Sequence, residues 1–350
     1  MSPVLNVGVV GTGIFAKDRH LPSYQEMPEN FKVVAAFNRT KSKATEFAKL
    51  AGLPDSKVYD NIEEILNDKD VDYIDALLPV QFNVDTVKKA IAANKPIILE
   101  KPIAANMKQA REMVKLAEST PLPIGIGENW LYLNCIDEAK RHLERIGPIV
   151  AFTHNSTGPF VSNNKYLATA WRQNPEHIGG FLSDGGVHQL ALVTDLVGEF
   201  ESVSALTSQV RKESGTDDIA FATVKIRNSN IIGTFTYGSA FGASEKSVWL
   251  KIYGVNGSII VDVSNKNEPV VKVRVGSFAE TASEEEVHKV PFDESFGVNA
   301  EFLNFYEAVA KKDKTLLKST PKVVFHHLAC VAAFLESSSK SGDHVKVETL

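Results

Sequence analysis

Three short segments of this 350-residue chain combine residue types that could do chemistry. The first, Gly11-Thr12-Gly13-Ile14-Phe15-Ala16, follows the apolar run Val4-Leu5-Asn6-Val7-Gly8-Val9-Val10. A buried strand that ends on glycines and opens a helix is the setting in which a G-x-G-x-x-G/A match carries meaning. Gly11 permits the tight turn, Gly13 lets a pyrophosphate approach the backbone, and Ala16 is small enough for helix-on-strand packing. Free N–H groups and the positive dipole end at the helix start would receive the phosphates. Thr12, Ile14 and Phe15 complete the expected cofactor loop.

The second segment is Glu100-Lys101-Pro102, which breaks out of Pro96-Ile97-Ile98-Leu99. It sits at the carboxyl end of a predicted parallel strand, where open α/β sheets place their ligands. A surface salt bridge at a strand end is the other reading. The third is Trp171-Arg172 together with Gly179-Gly180-Phe181-Leu182-Ser183-Asp184-Gly185-Gly186-Val187-His188. If a helix begins near Asp184, that residue and His188 share a face. A histidine beside a carboxylate can serve as a general acid/base held in one tautomer. Taken alone, the pair also reads as a helix cap followed by a core histidine.

The elements that must position these residues follow two patterns. Strand and helix alternate through the first third: strands at 31–37, 58–59, 72–78, 96–100 and 124–127, and helices at 41–51, 62–66, 84–93 and 107–118. Asp60 or Asn61 caps the second of these helices. Alternation of this kind requires a parallel sheet covered on both faces. After about residue 130 comes a helix at 136–145. Strands follow at 149–155, 203–211, 219–227, 231–237, 248–253 and 258–263, with turns at Asn228 to Asn230 and Asn256-Gly257. Two late helices cover 299–311 and 321–338. The expected fold is α/β. An N-terminal Rossmann domain spans 1–128. An α+β domain with a large, mostly antiparallel open sheet spans 129–350.

A carboxylate usually ends the second strand of an NAD site and binds the ribose hydroxyls. This chain has Asn38 there, followed by Arg39, Thr40 and, nearby, Lys43. Asn38 does not repel a 2′-phosphate, and Arg39 can fork onto it and stack on adenine. Arg39 also reads as a solvated surface arginine. NADP(H) is expected over NAD(H).

In this order, the glycine loop, Leu78-Pro79, Glu100-Lys101-Pro102, Trp171-Arg172 and the Gly179 to His188 segment resemble the Gfo/Idh/MocA family of NAD(P)-dependent oxidoreductases. The chain looks similar to fungal cytosolic members. The resemblance implies sugars, polyols or related carbonyl compounds as substrates and an open sheet used for oligomer contacts. It implies that Lys101 hydrogen-bonds the reacting oxygen, that His188 is the main acid/base, and that Asp184 orients the pair. It places Glu100, Lys101, Leu78 and Pro79 at the cofactor, with Trp171 and Arg172 over the nicotinamide side. Asn129 and Trp130 follow the last Rossmann strand and would line the pocket. Two positions depart from the family pattern. Ala191 stands where many members carry Asp, and Asn83 stands near a common His.

The remaining composition excludes other classes. Net charge is −5, so no footprint for nucleic acid stands out, and no apolar run is long enough to cross a membrane. The two cysteines, Cys135 and Cys330, do not suggest a disulfide. A cytoplasmic location is expected, with the nucleus as a second compartment. The nine histidines show no metal-ligand spacing, so no metal is expected. Phosphate-loop and nucleophile-elbow motifs are absent. The expected partners are a small-molecule substrate and a second copy of the chain, meeting through the C-terminal sheet. A catalytically silent NADP(H) sensor on the same fold is the competing reading. Retention of Lys101, Asp184 and His188 favours the enzyme.

Overall fold

The structure is a computed structural model that describes residues 3–166 and 175–350. It contains two compact units, Met1–Asn129 with Gly297–Phe325, and Trp130–Phe296 with His326–Leu350.

In the first unit, strands β1 (Leu5–Val10), β2 (Phe31–Phe37), β3 (Val58–Tyr59), β4 (Tyr73–Ala76), β5 (Ile97–Glu100) and β6 (Ile124–Gly127) form one sheet in the order β3-β2-β1-β4-β5-β6. Every pairing is parallel. The strands are short apolar runs because helices cover both faces and water reaches neither. Between them run α1 (Leu21–Glu26), α2 (Lys41–Ala51), α3 (Ile62–Asn67), α4 (Asn83–Ala92) and α5 (Met107–Ser119). Ala44, Phe47 and Ala48 form the buried stripe of α2, which Gly52 ends in the left-handed conformation at φ 68°. Asn61 caps α3 by accepting from Glu64 N at 2.9 Å.

Register aligns the carboxyl ends of the strands: Val10 pairs Phe37 and Ala76, Ala76 pairs Leu99, and Leu99 pairs Ile126. The residues that leave this edge are therefore Gly11, Asn38, Leu77, Glu100 and Gly127. The strand order reverses between β1 and β4, the crevice at which such sheets bind ligands.

A boundary at 128/129 assigned Gly297–Phe325 to the second domain, but the structure returns this segment to the first unit. The cause is α8 (Val298–Lys311). Its Val298, Phe302, Phe305 and Tyr306 share one buried cluster with Leu5, Tyr24, Phe31 and Tyr73. Phe302 stacks on Tyr24 at 4.4 Å between ring centres. Each such buried side chain stabilises by roughly 1.5–3 kcal/mol.

The second unit carries β7 (Ile149–Pro159), β8 (Phe200–Ser208), β9 (Ile219–Ile226), β10 (Ile232–Phe241), β11 (Ser247–Gly254), β12 (Gly257–Asp262), β13 (Val270–Val275), β14 (Glu286–Lys289) and β15 (Val345–Lys346). They form one sheet, ordered β14-β13-β12-β11-β7-β10-β9-β8-β15. Only β7 and β10 pair in parallel among these described strands. Alternate residues are buried, as in Ala220, Ala222, Val224 and Ile226 of β9. Helices α6 (Asn134–His142) and α7 (Phe181–Leu196) belong to this unit, as does most of α9 (Pro321–Ser339).

β8 starts and ends three residues before the expected 203–211. The Asp218 carboxylate accepts from Val210 N and Arg211 N, both at 2.8 Å, and so turns the chain out of the sheet. No described helix is long and apolar enough to cross a membrane.

Candidate active site

In the first unit the glycine loop has the geometry its sequence requires. Gly11 has φ +97°, and its N–H donates to Phe37 O at 2.8 Å. A Cβ there would lie 2.2 Å from Leu77 O. Gly13 differs: a Cβ added to it would meet no described atom within 4 Å. Its open side is a cradle for a group that must approach the backbone. Thr12 is fully buried, and its Oγ1 has no hydrogen-bond partner among the described residues. An open glycine face beside an orphaned hydroxyl fits a phosphate-bearing cofactor. The helical run opens at Ile14, and Ala16 is fully buried against the sheet.

Asn38 leaves the end of β2 and accepts from Thr40 N at 2.9 Å, an Asx turn that shapes the step into α2. Arg39 and Lys43 are exposed beside it. Leu78 and Pro79 follow β4 and are half-buried.

Glu100-Lys101-Pro102 ends β5, with the Lys101–Pro102 peptide bond cis. The segment is tied down from several sides. Asn83 Nδ2 reaches the carbonyl oxygens of Glu100 and Pro102 at 3.3 Å and of Ile103 at 3.4 Å. His20 Nε2 donates to Glu100 Oε1 at 3.0 Å, and its Nδ1 donates to Asp75 Oδ2 at 2.8 Å. Tyr24 hydroxyl also donates to Asp75 Oδ2, at 3.0 Å. Burial opposes a charge on His20. The Asp75 carboxylate, with the hydrogen bonds to Asp75 and Glu100, overrides that penalty and raises the imidazole to about 10. It is therefore a buried imidazolium at neutral pH. Glu301 on α8 is buried in the same acidic surroundings. Burial first, then the charge of Glu100, pushes its carboxyl well above the usual range.

In the second unit, Asp184 and His188 lie one turn apart on α7, and both are half-buried. Helix and shared face are as expected, but α7 starts at Phe181, so Asp184 is not its cap. Gly180 holds that position, with φ +41°. The glycines that follow Asp184 have a packing reason. A Cβ on Gly185 would fall 2.0 Å from the Tyr237 hydroxyl, and one on Gly186 would touch the Tyr237 ring at 3.6 Å. Tyr237 is thereby seated against the first turn of α7. Burial, with Asp184 and Asp218 nearby, raises its phenol. His188 stacks on Trp130, with 5.8 Å between ring centres and 18° between planes.

Residues 5–128 match the family described as "Oxidoreductase family, NAD-binding Rossmann fold", and residues 140–347 match "Oxidoreductase family, C-terminal alpha/beta domain". The chain belongs to the Gfo/Idh/MocA oxidoreductase family. YMR315W of Saccharomyces cerevisiae is 70% identical over 348 residues, which are 99% of each protein. An oxidoreductase from Thermotoga maritima has a similar crystal structure, with a TM-score of 0.85 and 30% identity over 99% of both chains. Levoglucosan dehydrogenase in complex with NADH shares the fold at a TM-score of 0.86 and 20% identity, over 99% of this chain and 100% of that one.

Within this Gfo/Idh/MocA chain the first unit brings together Gly11 to Phe15, Asn38, Arg39, Leu78, Pro79, Glu100 and Lys101 along one sheet edge. Asn129 follows β6 and is half-buried. Trp171 and Arg172 lie outside the described residues. Ala191, at the position of a frequent family Asp, is fully buried core. Asn83 is buried and clamps the Lys101 segment.

Sequence reading missed His20, Asp75, Glu301 and Tyr237. Asp75 was the legible signal, a charge inside the buried strand Tyr73-Ile74-Asp75-Ala76. It also missed Glu138, His142 and His288, which place one ligand atom each within 4.8 Å. Arg141 already pairs Glu138, and Arg145 pairs Glu286 while approaching His142 Nδ1 at 3.1 Å. This cluster reads as an ion-pair network tying α6 to β14. The adjacent His326 and His327 are buried and hydrogen-bonded: Phe200 N donates to His326 Nε2 at 2.9 Å, and His327 Nε2 meets Thr194 Oγ1 at 3.1 Å. Cys135 and Cys330 are buried free thiols.

Proposed function

We propose that this chain is an NADP(H)-dependent oxidoreductase that moves a hydride between the nicotinamide and a C–OH/C=O group of a sugar, polyol or small carbonyl compound. The family supports the reaction class. The observation that carries the cofactor choice is the end of β2, where Asn38 turns the chain and exposed Arg39 and Lys43 stand in place of a carboxylate. Arg39 would pair the 2′-phosphate, and the open face of Gly13 with the Thr12 hydroxyl would receive the pyrophosphate. The bound dinucleotide would supply the hydride chemistry.

The protein's own residues then orient the substrate and handle its proton. Lys101 would hydrogen-bond the reacting oxygen. His188, its ring fixed by stacking on Trp130, would take up or deliver the proton, with Asp184 one turn away to hold its orientation. The substrate class rests on the family resemblance and on the likeness to levoglucosan dehydrogenase. Regeneration of NADPH by alcohol oxidation is one direction this cofactor preference allows.

A second copy of the chain would meet the outer face of the nine-stranded sheet. Exposed Leu206 and Phe221 are cross-strand partners there, and exposed Ile232 follows on β10.

The test is binding of NADPH and NADH by calorimetry, followed by NADPH consumption and formation across sugars, polyols, aldehydes and ketones. Preference for NADPH with turnover of one class supports the reading. Tight NADPH binding with no turnover would favour a sensor, and equal affinity for the two dinucleotides would remove the Arg39 assignment.

A further inference from the structure

We propose that His20 is a positioning residue of the active site: clamped between Asp75 and Glu100, it fixes the Glu100 side chain and thereby the strand end that presents Lys101. The inference rests on the oxidoreductase reading for its catalytic consequence, though not for its structural one.

The geometry is specific to Glu100. His20 lies in a π-helical turn, Ala16–His20, at the end of the glycine loop, and its side chain is 3% exposed. Wider helical turns of this kind often mark functional sites, because they re-aim a side chain out of the α-helical register. Phe15 and Phe302 contact the ring edge-on at 5.2 and 4.9 Å, so its rotation is blocked. One ring nitrogen is held by Asp75 in the centre of β4. The other is left for Glu100 at the carboxyl end of β5. β6 makes room for that carboxylate through Gly127, where a Cβ would sit 3.0 Å from Glu100 Oε1. Asn83 meanwhile secures the carbonyls of Glu100, Pro102 and Ile103. Lys101 is thus flanked by a side chain fixed by His20 and by backbone fixed by Asn83.

A cation is the right fastener here. The ionisable groups around it are Asp75 and Tyr73 on β4, Tyr24 on α1, Glu100 on β5, Glu128 after β6 and Glu301 on α8. A neutral side chain at position 20 would leave Glu100 without its charged donor in acidic surroundings. Charged hydrogen bonds are about twice as strong as neutral ones, so the loss falls on the Glu100 tether. Glu100, in this account, serves as the platform for Lys101.

The experiment is hydrogen exchange on the intact apo protein, read by peptide, for His20→Gln, Glu100→Gln and the double variant. Steady-state kinetics run alongside. Exchange in the 97–105 segment should quicken about tenfold or more in each single variant, as expected for one lost charged hydrogen bond. The double variant should be no faster than either single, and exchange in α5 should stay native. In His20→Gln, kcat should fall by about 10- to 100-fold with NADPH affinity kept within about twofold, the scale of a misplaced reacting group. Unchanged exchange at 97–105 in both single variants would overturn the proposal. So would uniform quickening across the first unit, which would make His20 a stability residue only. A native kcat in His20→Gln would also overturn it. If the native chain turns over no compound tested, the oxidoreductase reading fails on its own, and the exchange pattern still decides the tether.

Discussion

Gly11 and Gly13 stand two residues apart in one loop, and the structure gives them opposite sensitivities to the same substitution. Gly11→Ala forces an L-residue to φ +97° and drives its Cβ to 2.2 Å from Leu77 O and 2.7 Å from Leu77 C. The left-handed conformation costs about 1–2 kcal/mol, and the overlap adds about 1–3 kcal/mol of overpacking strain. Gly11→Ala should therefore lose roughly 2–5 kcal/mol of stability. At Gly13 no described atom lies within 4 Å of the added methyl. Gly13→Ala should leave stability unchanged, or raise it by about 0.4–1 kcal/mol through the unfolded state. Its methyl would instead occupy the face kept open for the pyrophosphate, and NADPH affinity should fall about tenfold or more, at least 1.4 kcal/mol. Urea unfolding without cofactor measures the first quantity, and calorimetric titration with NADPH the second. A Gly13→Ala protein as destabilised as Gly11→Ala, or one that binds NADPH like the native chain, would refute the phosphate-cradle reasoning.

Arg39→Ala should cost about 1.5–3 kcal/mol of NADPH binding, the worth of a charged hydrogen bond, and leave NADH binding nearly unchanged. Equal losses measured by titration would contradict the 2′-phosphate role. For His20 the folded value of about 10 exceeds the unfolded 6.5. Its stabilisation is full below pH 6.5 and is lost as pH rises toward 10. Between pH 7 and 9 native stability should fall relative to His20→Gln by about 1.4 kcal/mol per pH unit, and parallel urea-unfolding curves would contradict this. Phe221→Lys should shift the mass seen by light scattering from dimer to monomer, since it places a charge in the centre of the proposed subunit contact. An unchanged mass would move that contact off the sheet face.

Most of the first unit was legible because its strands are buried on both faces and its helices carry local end signals. α2 runs over the expected residues 41–51, with Ala44, Phe47 and Ala48 as its buried stripe. The glycine loop was legible from its local pattern of strand, glycines and helix start, whereas the Leu77 backbone that packs on Gly11 is remote in sequence. β14 and β15 were not. Glu286–Lys289 and Val345–Lys346 are too short to show alternation and are strands only because neighbours pair with them. The return of α8 to the first unit was equally hidden. Its aromatic stripe announces a buried face, but the partners Leu5 and Tyr73 are remote in sequence. His20 shows the limit most clearly. Its partners stand 55 and 80 residues away, and a histidine amid Lys17, Asp18 and Arg19 reads as surface until the sheet brings Asp75 and Glu100 to it.

The central claim, that this chain catalyses hydride transfer with Lys101 holding the reacting oxygen and helping to move its proton, is tested most directly by comparing native protein and Lys101→Met. The comparison uses the compound class that consumes NADPH fastest, with NADPH binding measured on both proteins. The account predicts unchanged NADPH affinity and turnover reduced by about 10²-fold or more, the scale of a positioned acid/base. Near-native turnover by the variant would contradict it.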